Sequence, residues 1–364
     1  MDPTLEMSSS ELARAVEPVD PAGSLGARIQ ARLDALLKPP GSLGRLEELA
    51  LRIGLAQGRV QPTVVQRAVL IFAGDHGVYA EGVSAYDQTI TAELCRAFGA
   101  GSGVIGPLSR GVGARLSVVD VGVDADLAGV PGVRDRKVGW GSQNMAIGPA
   151  MTVEEVEASI RAGAESVAEL GGLDLLAIGE AGIGNTTSAA ALTALLTGAP
   201  PERVVGRGTG VDDEGLRRKI GVVRGVVDGE GSRVEVSGKA MARLSPIEAL
   251  ARAGGFEFGA MTGAILAAAA RRIPVVLDGY ATGVAALLAT RLTAAAQGYL
   301  IAAHRSAEPG HQIVLDELGL EPLLEWEMRL GEGSGAILAI PLAEAACRLL
   351  REVPTFEDVG AQRG

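Results

Sequence analysis

The residues with most to offer chemically are one acid and two glycine-rich turns. Glu332 stands in Leu330-Gly331-Glu332-Gly333-Ser334-Gly335-Ala336, directly before the apolar run Ile337-Leu338-Ala339-Ile340. Glycines on both sides free the backbone to take φ > 0 and to approach a ligand without Cβ obstruction. Ser334 is placed to be the N-cap of a helix that the apolar run continues. In a mostly apolar chain, desolvation would raise the proton affinity of an acid so placed and suit it to general-base work. Alone, a Gly-Glu-Gly reads as a solvated turn; the catalytic reading draws on the rest of the chain.

The first glycine turn is Gly182-Ile183-Gly184-Asn185-Thr186-Thr187, between an apolar run and an Ala-rich helix. Free N–H groups at that helix start, two hydroxyls and the helix dipole suit a phosphate. The competing reading is tight strand-to-helix packing, with Thr186 or Thr187 as a cap. A P-loop lysine is missing, and no acid follows at the distance a dinucleotide ribose needs, so a phosphate monoester fits better than NAD or ATP. The second turn, Gly206-Arg207-Gly208-Thr209-Gly210, leads into the acidic helix start Asp212-Asp213-Glu214. Those acids complement the helix dipole. Lys219, on the opening turns of that helix, either reaches back toward an anion or is a surface residue.

Asp75-His76-Gly77 ends the first apolar run, and Ser84, Tyr86 and Gln88 follow as a polar and aromatic wall for a ring. With three histidines in the chain and no second ligand at metal-binding spacing, His76 is expected to bond the backbone and shape the pocket rather than hold a metal. His304-Arg305-Ser306-Ala307-Glu308-Pro309-Gly310-His311 brings hydroxyl, guanidinium and imidazole donors to a further apolar run. A capped, exposed loop explains that cluster as well as ligand contact does.

The elements that must position these groups are readable from the pattern. Runs that are apolar throughout, at Ala68–Ala73, Arg115–Val121, Leu173–Ile178, Ile273–Leu277 and Tyr299–Ala303, read as strands. Between them lie Ala-rich helical segments, among them Ser188–Leu196, Asp212–Val227, Ser245–Ala251, Ala260–Arg271 and Thr282–Ala296. Such alternation predicts an α/β fold: a parallel sheet with helices on both faces, and ligands at the carboxyl ends of the strands. The glycines, acids and histidines above fall there, with Asp278 closing the fourth run. Before the first strand, Ser24–Leu37 and Arg45–Ala56 form a helical hairpin broken at Lys38-Pro39-Pro40-Gly41. Residues from Met1 to Pro21 read as a loosely packed leading segment.

Totals narrow the partners. The 364 residues include 47% hydrophobic but only 3% aromatic side chains, so the core must be Ala, Leu, Val and Ile. The net charge of -11, with no basic run, argues against nucleic acid or an anionic membrane. Cys95 and Cys347 lie far apart without Cys/His spacing and read as reduced packing residues. Met1 to Val19 lacks an apolar signal core, and no apolar run reaches membrane-spanning length, so a cytoplasmic protein is expected.

Together these stretches resemble the nicotinate-nucleotide:dimethylbenzimidazole phosphoribosyltransferase family. The match runs through Lys38-Pro39-Pro40-Gly41-Ser42-Leu43-Gly44, Gly74-Asp75-His76-Gly77-Val78, Gly182 to Thr187, Gly208-Thr209-Gly210, His304-Arg305-Ser306 and Arg329 to Ala336. Six ordered motifs are far more specific than any one glycine turn. Gly99-Ala100-Gly101-Ser102-Gly103 and Gly139-Trp140-Gly141-Ser142 depart from the family pattern, which bears on base selectivity more than on reaction type.

By this resemblance Glu332 is the catalytic base and Glu180, just before the first glycine turn, a second catalytic acid. Gly182, Gly184, Asn185, Thr186, Gly208, Thr209, Gly210, Lys219, Asp278 and Ser306 would bind the nucleotide and its phosphate. Asp75, Ser84, Tyr86, Gln88 and Leu330 would line the base pocket. The resemblance implies a Rossmann-like domain, residues 61–341, with a small helical domain from both chain ends, residues 1–60 and 342–364. It further implies a homodimer.

The implied reaction moves phosphoribose from nicotinate mononucleotide to 5,6-dimethylbenzimidazole. A pyridinium at the anomeric carbon is already a good leaving group, so neither cofactor nor metal is called for. Two rivals are a non-catalytic nucleotide-binding or sensing protein and an α/β oxidoreductase. A pure anion binder has no use for Glu332, and the oxidoreductase lacks a G-x-G-x-x-G turn after the first strand.

Overall fold

The computed structural model describes residues 7–229, 234–236, 239–242 and 244–361. Its centre is a six-stranded, wholly parallel sheet ordered β3-β2-β1-β4-β7-β8. The strands are β1 (Arg67–Gly74), β2 (Arg115–Gly122), β3 (Val133–Asp135), β4 (Leu175–Ala181), β7 (Val275–Leu277) and β8 (Leu300–Ala302). Strands β5 (Val234–Val236) and β6 (Lys239–Ala242) pair as a separate antiparallel ribbon. The five expected strands are all present. The ribbon and the edge strand β3 were not expected, because Val133-Arg134-Asp135, Val234-Glu235-Val236 and the stretch from Lys239 interrupt any apolar run with charge.

The sheet carries two cores because side chains alternate across it. Ala68, Leu70 and Phe72 of β1 face one apolar cluster, whereas Val69, Ile71 and Ala73 face the other. The leading helices are α1 (Ser9–Ala15), α2 (Ser24–Ala35) and α3 (Arg45–Gln57), and α4 (Ile90–Gly99) and α5 (Ile105–Gly111) follow β1. After β2 and β3 comes α6 (Val153–Ala168), and after β4 come α7 (Asn185–Thr197), α8 (Pro201–Val204) and α9 (Asp213–Asp228). The later helices are α10 (Pro246–Ala253), α11 (Phe256–Ala270), α12 (Tyr280–Leu292), α13 (Pro309–Leu318) and α14 (Ser334–Glu352). Helices α6 and α11 approach closely at glycines: a Cβ on Gly163 would stand 1.8 Å from Ala260 O, and one on Gly263 1.8 Å from Ile160 O. This is how a core so poor in aromatics reaches close packing.

From Met7 on, the leading segment is more ordered than expected, residues 1–6 lying outside the described ones. Ser8 and Glu11 form a capping box on α1, and Leu12 is fully buried in the larger core. Polar residues gave the segment a loose look, yet Ser-x-x-Glu followed by leucine is itself a helix-start pattern. Helix α1 packs on α11 and α6, while α2 and α3 pack with α14. Helix α14 starts over β4 and β7 and runs on to α3, with Pro341 inside it, so position 341/342 lies within one continuous helix.

Candidate active site

The acid turn sits over the sheet because two chain segments lack side chains where they meet. A Cβ on Gly179 of β4 would stand 2.3 Å from Gly333 N, so only glycine lets the 331–333 turn rest on the strand. Gly331 and Gly333 have φ of +80° and +77°, and Glu332 between them has +61°. Its carboxylate is half-buried. Burial, and then the charge of Asp278, push its pKa up to about 7. Ser334 is not the N-cap. Gly333 holds that position without a side-chain bond, and the Ser334 hydroxyl instead donates to Gly331 O at 2.8 Å, because the left-handed glycine turn already directs the chain into the helix.

Glu180 ends β4 beside this turn, and a Cβ on Gly331 would come within 2.5 Å of its Oε1. Burial, Asp278, Glu257 and Glu332 outweigh the amide that Asn185 donates to its Oε2, and its pKa rises to about 8. Asp278 is buried, and its oxygens accept from Gly333 N at 3.1 Å, Gly335 N at 2.7 Å and Ala336 N at 3.0 Å.

Beyond Glu180, the start of α7 has the chemistry to hold an anion. Gly184, at φ +98°, begins α7 with no side-chain cap, so neither Thr186 nor Thr187 takes the capping role. Uncapped amides at a helix start favour an anion. Lys219 is no surface residue: it is 1% exposed, and its Nζ donates to Thr186 Oγ1 at 3.0 Å. Burial lowers its pKa to about 8 against the opposing effect of Glu308. The second glycine turn closes over this lysine, for a Cβ on Gly208 would stand 3.0 Å from Nζ. Gly208 N donates to Glu308 Oε1 at 2.9 Å, and Arg329 donates to Gly208 O at 3.1 Å. Gly210 has φ +111°. Thr209 accepts from Ala85 N at 3.3 Å and stands 3.5 Å from the Ser84 hydroxyl. The loop of Ser84, Tyr86 and Gln88 therefore borders the anion end, with Tyr86 56% exposed.

Asp75 is buried and its Oδ2 accepts from Asp124 N at 2.8 Å. It lines a cavity of about 300 Å³ with Gln88, Thr89, Glu93, Arg96 and Asp124. A second cavity, of about 350 Å³, includes Gly206, Arg207, Gly210, Glu308 and Arg329. Leu330 is 51% exposed. A third cavity, about 490 Å³ between α3 and β8, is lined by none of these residues. Among the described residues no cluster of three metal-ligating side chains occurs.

The histidines differ from expectation. His76 bonds side chains rather than backbone: Nε2 lies 2.5 Å from Glu257 Oε1 and Nδ1 2.9 Å from Ser188 Oγ, all buried. The 304–311 stretch is not an exposed loop, since His304, Ser306, Glu308 and His311 are buried, while Arg305 turns outward to Glu325 and Ala307 and Pro309 are exposed. Ser306 N donates to His311 Nδ1 at 2.9 Å. Sequence reasoning missed Glu257, Ser188, Glu308 and Arg329 as partners of the site. Of these, Glu308 stood within the 304–311 stretch and Arg329 at the start of the 329–336 motif, whereas Glu257 and Ser188 carried no local signal.

Known proteins match this chain over nearly its whole length. A family model described as phosphoribosyltransferase matches residues 17–361. The chain is 46% identical over 357 residues to a protein of Desulforudis audaxviator named nicotinate-nucleotide–dimethylbenzimidazole phosphoribosyltransferase, covering 97% of this chain and 98% of that one. A Thermus thermophilus protein of the same name is 46% identical over 346 residues, covering 93% and 98%. The crystal structure of CobT from Thermus thermophilus superimposes with a TM-score of 0.88 at 45% identity, covering 94% of this chain and all of that one.

Proposed function

The chain belongs to the nicotinate-nucleotide–dimethylbenzimidazole phosphoribosyltransferase family, and from that premise we propose how its own residues carry out the transfer. Nicotinate mononucleotide places its phosphate at the α7 amides, Lys219 and the Gly208 turn, and its ribose toward Glu180. One imidazole nitrogen of 5,6-dimethylbenzimidazole attacks C1′ opposite the pyridinium. The C1′–N bond to nicotinate breaks, its electron pair returning to the pyridine ring. The proton on the other imidazole nitrogen passes to Glu332. Attack from the opposite face turns a β-nucleotide into an α-nucleotide, α-ribazole 5′-phosphate, for the lower ligand of cobalamin. Glu180 stands by the sugar as positive charge develops there.

The observation that carries this reading is Glu332, held near neutral pKa at about 7, on a turn against Glu180, while neighbouring residues of the α7 start, Asn185 and Thr186, bond Glu180 and the buried Lys219. A base matched to the ambient pH takes a proton most effectively. A protein that merely sensed nucleotides would gain nothing from two crowded acids. Support for a homodimer comes from Tyr86, Trp326 and Leu330, large apolar side chains left 56%, 62% and 51% exposed. No helix among the described residues is long and apolar enough to cross a membrane, and cytoplasmic residence completes the reading. Incubating the protein with both substrates in metal-free buffer should release one nicotinate per α-ribazole 5′-phosphate formed. No release of nicotinate would remove the proposal.

A further inference from the structure

Glu332 takes a left-handed backbone conformation, φ +61°, that non-glycine residues hold only when their surroundings over-determine it. The restraint comes from beneath. Asp278, 1% exposed at the end of β7, spends both oxygens on three amides of the α14 start: Gly333, Gly335 and Ala336. No oxygen of it faces the cleft unengaged. His304, also 1% exposed, lies against the same turn, its Nε2 3.6 Å from Asp278 Oδ1. Neither of its ring nitrogens has a hydrogen-bond partner among the described residues. A Cβ on Gly335 would stand 2.1 Å from His304 Cδ2 and 2.9 Å from Asp278 Oδ1, so that glycine lets imidazole, carboxylate and helix start meet.

We propose that Asp278 and His304 are positioning residues for Glu332, the aspartate pinning the turn that presents the base and the imidazolium balancing the aspartate's charge. The inference deepens the functional reading above and rests on it. A buried carboxylate on three amides is stable only with its charge compensated, by the helix dipole on one side and a cation on the other. His304, with Nε2 3.6 Å from Asp278 Oδ1, is the group placed to supply that cation: burial disfavours its protonation, but Asp278 outweighs burial and raises its pKa. The remaining charged or titratable neighbours are Glu332 and Glu180 on the cleft side, Glu257 from α11, His311 from α13 and Arg305. His311, held down at about 3 by burial, His304 and Arg305, is neutral and leaves His304 as the cation beside Asp278.

The test is kcat and KM from pH 5 to 9 for the wild type, Asp278→Asn, His304→Gln and Glu332→Gln. Asp278→Asn should lower kcat about 10²-fold, as displacement of a reacting group by an ångström does, with KM for the nucleotide nearly unchanged. It should also move the acidic midpoint of kcat down by about one pH unit, since a like charge beside Glu332 is gone. His304→Gln should move that midpoint the other way, upward by a similar amount, because Asp278 then acts uncompensated. A raised KM with kcat and midpoint intact in Asp278→Asn would overturn the inference, assigning Asp278 to the substrate. So would a midpoint in His304→Gln that stays or falls. If Asp278→Asn does not fold, the His304→Gln midpoint decides alone. Activity lost in Glu332→Gln with both other variants like wild type would strike this inference only; no nicotinate release by the wild type would strike the functional reading.

Discussion

The two ends of the cleft handle charge in opposite ways. At the sheet's β4–β7 side, Glu332 and Glu180 are crowded with Asp278 and held at pKa values of about 7 and 8. At the α7–α9 side a single buried Lys219 is drawn down to about 8 among glycine turns. One end has carboxyl groups whose proton affinity is raised to near neutral pH; the other has a buried cation bonded to a threonine, with Glu308 as its acidic neighbour. Burial causes both shifts, and it pushes acids and lysines in opposite directions. A site that must move a proton and hold a phosphate can thus obtain both properties from one desolvated cleft.

The sharpest way to break this contrast is to remove the base. Glu332→Gln should lower kcat by about 10²–10⁴-fold with nucleotide KM nearly unchanged, measured as nicotinate release. Near wild-type turnover would take Glu332 out of the mechanism. Next in size is Gly179→Ala, whose Cβ would meet the backbone of Gly333 at 2.3 Å and lift the acid turn. We expect roughly 10²-fold in kcat although residue 179 touches no substrate; an active Gly179→Ala enzyme would show that the turn's seat on β4 is irrelevant.

At the anion end, Lys219→Ala should raise the nucleotide KM by about 10–100-fold, the worth of a charge-assisted hydrogen bond, while kcat stays within a few fold. A fall in kcat with KM intact would erase the division between the two ends. The smallest effect concerns stability. Glu180 has a folded-state pKa raised above its unfolded value of 4.5, so the native state binds more protons between about pH 4.5 and 8 and loses stability as pH rises through that window. Glu180→Gln should therefore melt about 1–3 °C higher than wild type at pH 8, with the gain disappearing near pH 5. A Tm difference that grows on acidification would refute the crowding of these acids.

Much of this site was legible along the chain. Glycines around Glu332 and in the 182–187 and 206–210 turns marked the places where backbone had to come close or turn left-handed, a demand that residue type alone expresses. Lys219 was legible as a residue but not as a buried one, because helix periodicity says little about which loop folds over a side chain. The partners that complete the site, Glu257 on His76, Glu308 and Arg329 on Gly208, and Asp278 on α14, lie 181, 100, 121 and 55 to 58 residues away. No local pattern encodes separations of that size.

By itself, the sequence determined the parallel α/β layering, the glycine turns at strand ends and the identity of the acid at the last of them. These follow from side-chain period and backbone permissiveness, which are properties of neighbouring residues. Tertiary structure alone decided that Ser334 would not cap its helix, that His76 would bond Glu257 and Ser188, and that three acids would share one desolvated corner. Proton affinity depends on what stands within a few ångströms of a group in space, and only the closed fold sets those distances.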